Sequence, residues 1–246
     1  MKNISLGLVI LPLLIISCTT DTIDNAETGI SKVSGNKSEK GARLMQTLTP
    51  ENPENVYDYV GKLHNDLLET YLAGNYQYST ISQISEQIET ISTANSDLTL
   101  LNLERGVPVN LEEIQEIVNN PEAKLDEVIA NSSMTTAAKI SLSSFMNAAL
   151  LWKNEEYGVI YESIISYEFA VMTNTNFSDE DKRIILTTSS IARYSLYYDK
   201  QPPYDEDWGT SVGNRVGGVS GAIDNSFTAV SRSLITGIMI SNLVTE

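Results

Sequence analysis

One cysteine, Cys18, and one histidine, His64, occur in this chain of 246 residues. A lone cysteine excludes any intramolecular disulfide. A lone histidine excludes a His-rich zinc site, and no Glu-x-x-His occurs that could serve a carboxylate-bridged di-iron centre. A Ser-His-Asp triad could use only His64. The nearest approach to a nucleophile elbow, Gly218-Val219-Ser220-Gly221-Ala222, has Ala where the second Gly belongs. His64 also precedes that serine, opposite to the order of α/β-hydrolases. Basic residues are scarce too: 16 Lys and Arg stand against 32 Asp and Glu, a net charge of −16. So acidic a chain repels phosphate backbones and anionic lipid surfaces, which excludes nucleic acid as a partner. No aromatic residue precedes Tyr57, and no sustained alternating pattern marks a strand.

Two further patterns fail on inspection. Asn174-x-Asn176-x-Ser178-x-Glu180 begins like a calcium loop. It has Asp179 where Gly is required and Ile185 where the bidentate Glu belongs. Glu155 and Glu156 are adjacent, so on a helix they point about 100° apart and form no acid–base pair. The sequence therefore calls for no cofactor, no metal and no catalytic residue, and a non-enzyme is expected.

What is present is helical periodicity. Val56, Val60, Leu63, Leu67 and Tyr71 form one apolar stripe, closed by Gly74-Asn75. Ile81, Ile84, Ile88 and Ile91 form a second. A loop follows from Asn102 to Val109, and Asn110 with Glu113 has the spacing of a capping box. Asn120-Pro121 restarts a short helix with Pro at its first position. Thr136 to Trp152 mixes small residues with Ile140, Phe145, Leu151 and Trp152. Tyr157 to Thr173 is another helix. Ser178-Asp179-Glu180-Asp181 opens the next, with acid against the helix dipole. The expected fold is all-α, one domain of about eight or nine helices over residues 51–246.

The start of the chain is of another kind. A single cation, Lys2, leads an apolar run from Ile4 to Ile16, closed by Ser17-Cys18. The run is shorter than the ~20 residues a membrane-spanning helix needs, and its layout is that of a secretory signal. Leu13-Leu14-Ile15-Ile16-Ser17-Cys18 resembles the lipobox of bacterial lipoproteins, with Ile15 where that family prefers Leu. The resemblance implies cleavage between Ser17 and Cys18, leaving residues 1–17 as the signal peptide. It also implies acylation of Cys18, which holds the protein to a membrane through its acyl chains. It places the protein in the outer membrane of a Gram-negative bacterium, facing the periplasm or the outside. Residues 18–50 are polar and read as a tether reaching about 30 Å as a coil. Within it Asp21-Thr22-Ile23 resembles the O-glycosylation acceptor of Bacteroidota.

Two candidate features lie toward the C-terminus. Tyr194, Tyr197, Tyr198, Tyr204 and Trp208 are interleaved with acids including Asp205 and Asp207, a mixture that binds sugars or cations, or else closes a loop over the core. Gly209, Gly213, Gly217 and Gly221 recur every fourth residue, which predicts a glycine-faced helix within a C-terminal helical hairpin over residues 208–246. Arg215, Asp224 and Arg232 make that segment costly to place in hydrocarbon. Three stretches (Tyr57 to Asn65, Ser189 to Tyr194, and Trp208-Gly209 leading into glycines) are similar to uncharacterised exported proteins of Bacteroidota, some labelled bacteriocin-like. That group brings no established activity. The leading expectation is a lipid-anchored, non-catalytic binding or scaffold module whose partner is an envelope protein or a small ligand. A membrane-active, bacteriocin-like protein using the tail is the alternative, and a carboxylate-dependent enzyme the second.

Overall fold

The computed structural model describes residues 48–76, 79–96, 109–200 and 212–244, all within the unit Ser38–Glu246. Cys18, Ser17, Asp21-Thr22-Ile23, most of the tether, the 102–108 loop, Tyr204, Asp205, Asp207, Trp208 and Gly209 lie outside them. The described residues form nine α-helices and no strand, a single all-α domain.

Local chemistry sets most of the helix ends. Helix α1 (Asp58–Ala73) buries Val60, Leu63, Leu67 and Tyr71. Val56, expected on the same stripe, is 71% exposed. It lies in the turn before α1, so the 3.6-residue period does not extend to it. Thr80 caps α2 (Ile81–Ala94), whose four isoleucines are all buried. Asn110 caps α3 (Leu111–Asn119) through the amides of Glu112 and Glu113. Glu113 was expected to return the capping box. Its carboxylate instead accepts from Ser220 Oγ and lies 3.3 Å from Arg232, two long-range partners that outcompete one backbone amide. Asn120 caps α4 (Pro121–Asn131), with Pro at the start. Helix α5 (Thr136–Leu151) runs into a 3₁₀ turn (Trp152–Asn154) and is followed by α6 (Tyr157–Thr173). On α5, Ile140 and Leu151 are exposed, whereas Phe145 is buried, stacked on Tyr167 with its edge to Trp152.

Helix α7 (Asp179–Asp199) is the axis of the domain, buried almost continuously from Ile184 to Leu196. Ser178 and Asp181 close a reciprocal capping box at its start. Asp181 also accepts from the amide and hydroxyl of Thr135, joining the first turns of α5 and α7. Burial alone would raise its carboxyl, but the Ser178 and Thr135 donors hold it below the ordinary carboxylate range. Around α7 pack α1, α5, α6 and α8 (Val212–Asp224), while α9 (Ser226–Val244) lies against α8, α1, α2 and α3.

Helices α8 and α9 make the most intimate contact in the domain. A Cβ added to Gly217 would come 2.5 Å from the Arg232 carbonyl oxygen, and one on Gly221 2.5 Å from Ala229 Cα. At Gly213 the Thr236 carbonyl would be 3.3 Å away. Gly218 looks elsewhere, with nothing nearer than 3.8 Å. Each interior glycine costs about 1 kcal/mol of helix propensity, and close backbone approach is what offsets it here. Asn225 joins the pair and caps α9 through the Thr228 amide. Arg183 donates to the carbonyls of Ala222 and Ile223, satisfying the C-terminal end of α8.

Candidate functional site

Two polar networks run through the core. The first joins α1, α6 and α7. Arg193, with no exposed side-chain surface, donates to Asp58 Oδ1 at 2.6 Å and lies 3.5 Å from Glu168 Oε1. Glu168, equally buried, accepts from Asn52 Nδ2 at 2.5 Å, Asn55 Nδ2 at 3.1 Å and Ser189 Oγ at 2.8 Å. Burial alone would lower the Arg193 guanidinium, and the Glu168 and Asp58 carboxylates more than reverse that. The two stretches singled out in the sequence, Tyr57 to Asn65 and Ser189 to Tyr194, are thus placed face to face. Gly61 lets them approach: a Cβ there would sit 2.5 Å from the Ser190 carbonyl oxygen. With both carboxylates engaged, this network is a structural joint.

The second network surrounds His64. Its Nδ1 lies 3.2 Å from Asn65 Oδ1 and its Nε2 3.1 Å from Ser233 Oγ, while Ser233 donates to Asn214. Hydroxyl, imidazole and amide follow in the order of a nucleophilic site. His64 and Ser233 have no exposed surface, so no substrate reaches them. Burial lowers the imidazole to about 4, keeping it neutral.

The aromatic cluster divides. Tyr194 is buried and donates to Asp58 Oδ2 at 3.1 Å; burial and the Asp58 charge raise its hydroxyl. Tyr197 sets its edge against Tyr157, and Tyr198 packs on the core. These three tyrosines are therefore spent on packing and on the Asp58 joint.

Among the described residues Arg215, in the first turn of α8, is a charge left without an ion pair. Only 6% of it is exposed, and neither Nη1 nor Nη2, both without accessible surface, has a hydrogen-bond partner among the described residues. No carboxylate of the described residues pairs with it, and desolvation lowers its guanidinium to about 10. The positive end of the α8 dipole adds to the cost. Arg215 borders two spaces. One is a void of about 10 Å³ between α5, α7 and α8, beside Thr188, Ser195 and Asn214, the size of one water. The other is a cleft of about 280 Å³ between α4, α5 and α8. Its inner wall is Arg215 and buried Met146; Leu125 lines its side; Glu122, Asp126, Asn147 and Leu150 form its exposed rim. A second cleft of about 250 Å³ also holds an arginine, Arg232. That cation is already paired, at 2.6 Å to Asp224 and 3.3 Å to Glu113.

Read from the sequence, Arg215 is only one of three charges that make the glycine-rich segment costly to place in hydrocarbon. A lone cation amid Gly213, Val216, Gly217 and Val219 was itself the signal, since such a helix must be buried on several sides. Among the described residues no group of three or more His, Cys, Asp or Glu could hold a metal ion, and no helix is long and apolar enough to cross a membrane. No protein-family model, curated protein or solved structure matches this chain.

Proposed function

We propose that this chain is a lipid-anchored, non-catalytic binding module of the bacterial cell envelope. Acyl chains on Cys18 would hold it to the outer membrane, and residues 18–50 would let the domain stand off the lipid. The observation that carries the binding role is an open cleft walled by Arg215, a buried cation with no ion pair among the described residues. An uncompensated buried charge is costly, and a role in binding is one account of its being kept there. A bacteriocin-like role for the tail is weighed down by the burial of Gly213 to Ala222 and most of α9 inside the domain, where they are unavailable to lipid. A carboxylate enzyme is disfavoured because the fully buried carboxylates Glu168 and Asp181 are engaged by several donors each. Nucleic acid remains an unsuitable partner for a chain of charge −16.

The anchor is tested by radiolabelled palmitate, which should enter the wild-type protein and not Cys18→Ser; equal labelling of both would refute it. Crosslinking on intact cells, followed by identification of what is retained by wild type and lost in Arg215→Met, tests the binding role.

A further inference from the structure

We infer that α5 is a self-association surface: its outer face pairs antiparallel with the same face of a second copy of this chain, about a twofold axis at Ser144. The inference goes beyond the cleft and the binding role proposed above. The inner side of α5 is taken up by the core, where Leu142, Phe145, Met146 and Ala149 are buried. Its outer side carries Ala137, Ile140, Ser144, Asn147 and Leu151, all exposed. These recur at alternating steps of three and four residues, the spacing of a seam between two packed helices. The large members, Ile140 and Leu151, are 63% and 78% exposed. Their separation of three helical turns is exact to within about 20°, so both point the same way. A seam of this period is a surface shaped for another helix.

Charge narrows the choice of partner. The chain carries −16, so two copies repel over most of their surface. From Thr136 to Trp152 the only charged residue is Lys139, and its ammonium donates to the Ala130 carbonyl. No carboxylate stands on the seam, so two acidic copies can meet there without bringing like charges together. Shape then selects the copy itself. In an antiparallel pair centred on Ser144, Ile140 falls opposite the partner's Ala148 and Leu151 opposite the partner's Ala137. Each large side chain lies over a small one, and the twofold repeats both contacts. The two Ser144 hydroxyls meet on the axis, where each can donate and accept. A lipid surface fits less of this: Ser144 and Asn147, in the middle of the seam, would lose water and find no partner in hydrocarbon. One helix pair of this length falls short of the roughly 1,200 Å² buried in stable complexes. The pair is therefore weak in dilute solution and forms where copies are concentrated, as the anchor proposed above would concentrate them on one membrane.

The test is disulfide trapping of the full chain on intact cells, with copper phenanthroline as oxidant. Ser144→Cys places a thiol on the axis, Ser82→Cys places one on an exposed part of α2 away from the seam, and wild type reports Cys18 alone. Ser144→Cys should give at least tenfold more covalent dimer than Ser82→Cys or wild type. Adding Leu151→Glu, at an exposed position, should lower that yield at least fivefold. Adding Ala148→Leu should lower it too, because the change makes the face more apolar but fills the space opposite Ile140. Equal yields from Ser144→Cys and Ser82→Cys would overturn the inference, as would trapping of Ser144→Cys on another protein in place of its own copy. A yield that rises with Ala148→Leu would also overturn it, since a face that gains from any added apolar surface has no register and is meeting lipid or adhering unspecifically. Palmitate labelling of the same cells reads the anchor separately: trapped dimer without label would refute the anchor and leave the pairing in place.

Discussion

Replacing Arg215 by methionine should make the ligand-free protein more stable. The guanidinium is lowered from its ordinary range to about 10 by desolvation with nothing to offset it. A basic group whose folded pKa is depressed costs stability wherever the charged form prevails in both states. That cost is complete below about pH 10 and is relieved only as pH rises from there toward the ordinary guanidinium range. At about 1.36 kcal/mol per pKa unit the depression corresponds to about 3 kcal/mol at neutral pH. Methionine has a similar reach and no charge, and its neighbours Met146, Leu125 and Ile191 are apolar. Exchanging a buried charge for a hydrophobic residue of similar volume is neutral to stabilising by about 1–4 kcal/mol, so roughly 2 kcal/mol is a fair expectation. In a domain of this size each kcal/mol moves the midpoint by about 2–4 °C. The variant should therefore melt roughly 4–8 °C above wild type when followed by circular dichroism at pH 7 in dialysed protein. A lower midpoint than wild type would refute the reasoning, because it would mean that the guanidinium has a partner within the protein.

Two further outcomes follow from the same core. Gly217→Ala should destabilise by about 1–3 kcal/mol, since overpacking against the Arg232 backbone outweighs the gain in helix propensity. Gly218→Ala, with open space around it, should stabilise by up to about 1 kcal/mol; denaturant melts of both variants check the contrast. His64 is held near 4 by burial against 6.5 in the unfolded chain, so the unfolded state binds more protons between those values. Stability should be intact above about pH 6.5 and fall by about 3 kcal/mol as pH drops through 4. Asp181 and Glu180, both held below the ordinary carboxylate range, add loss below that window. His64→Gln should flatten the slope between pH 4 and 6.5 in urea melts, and an unchanged slope would show that the imidazole is not its source.

The helices were largely legible because their signals are local. Four isoleucines at helical spacing define α2, Pro121 opens α4, and Ser178 to Asp181 announce α7. Legibility ended where partners are distant. Nothing within ten residues of Asp58 indicates that it meets Arg193, or that Asn52 and Asn55 meet Glu168 across more than a hundred residues. Glu113 was misread for the same reason: a local pattern lost to long-range partners. Val56 continues the apolar period but not the helix. For the cleft, the residue types were visible and the burial was not. The cost of Arg215 depends on α5 and α7 closing over it, which periodicity along α8 alone does not reveal.

The Asn52–Asp58 segment enters the domain at an unusual place. Its amides clasp Glu168, its aspartate grips Arg193, and the Glu51 carbonyl accepts from Tyr161 Oη at 2.9 Å. Tension arriving at Asn52 from upstream is therefore delivered straight to the central ion pair, ahead of every described helix. Those bonds must give way together before any of α1 can be drawn out. The domain has the mechanics of a bolt seated in its heaviest beam: stiff and abrupt when pulled from this side.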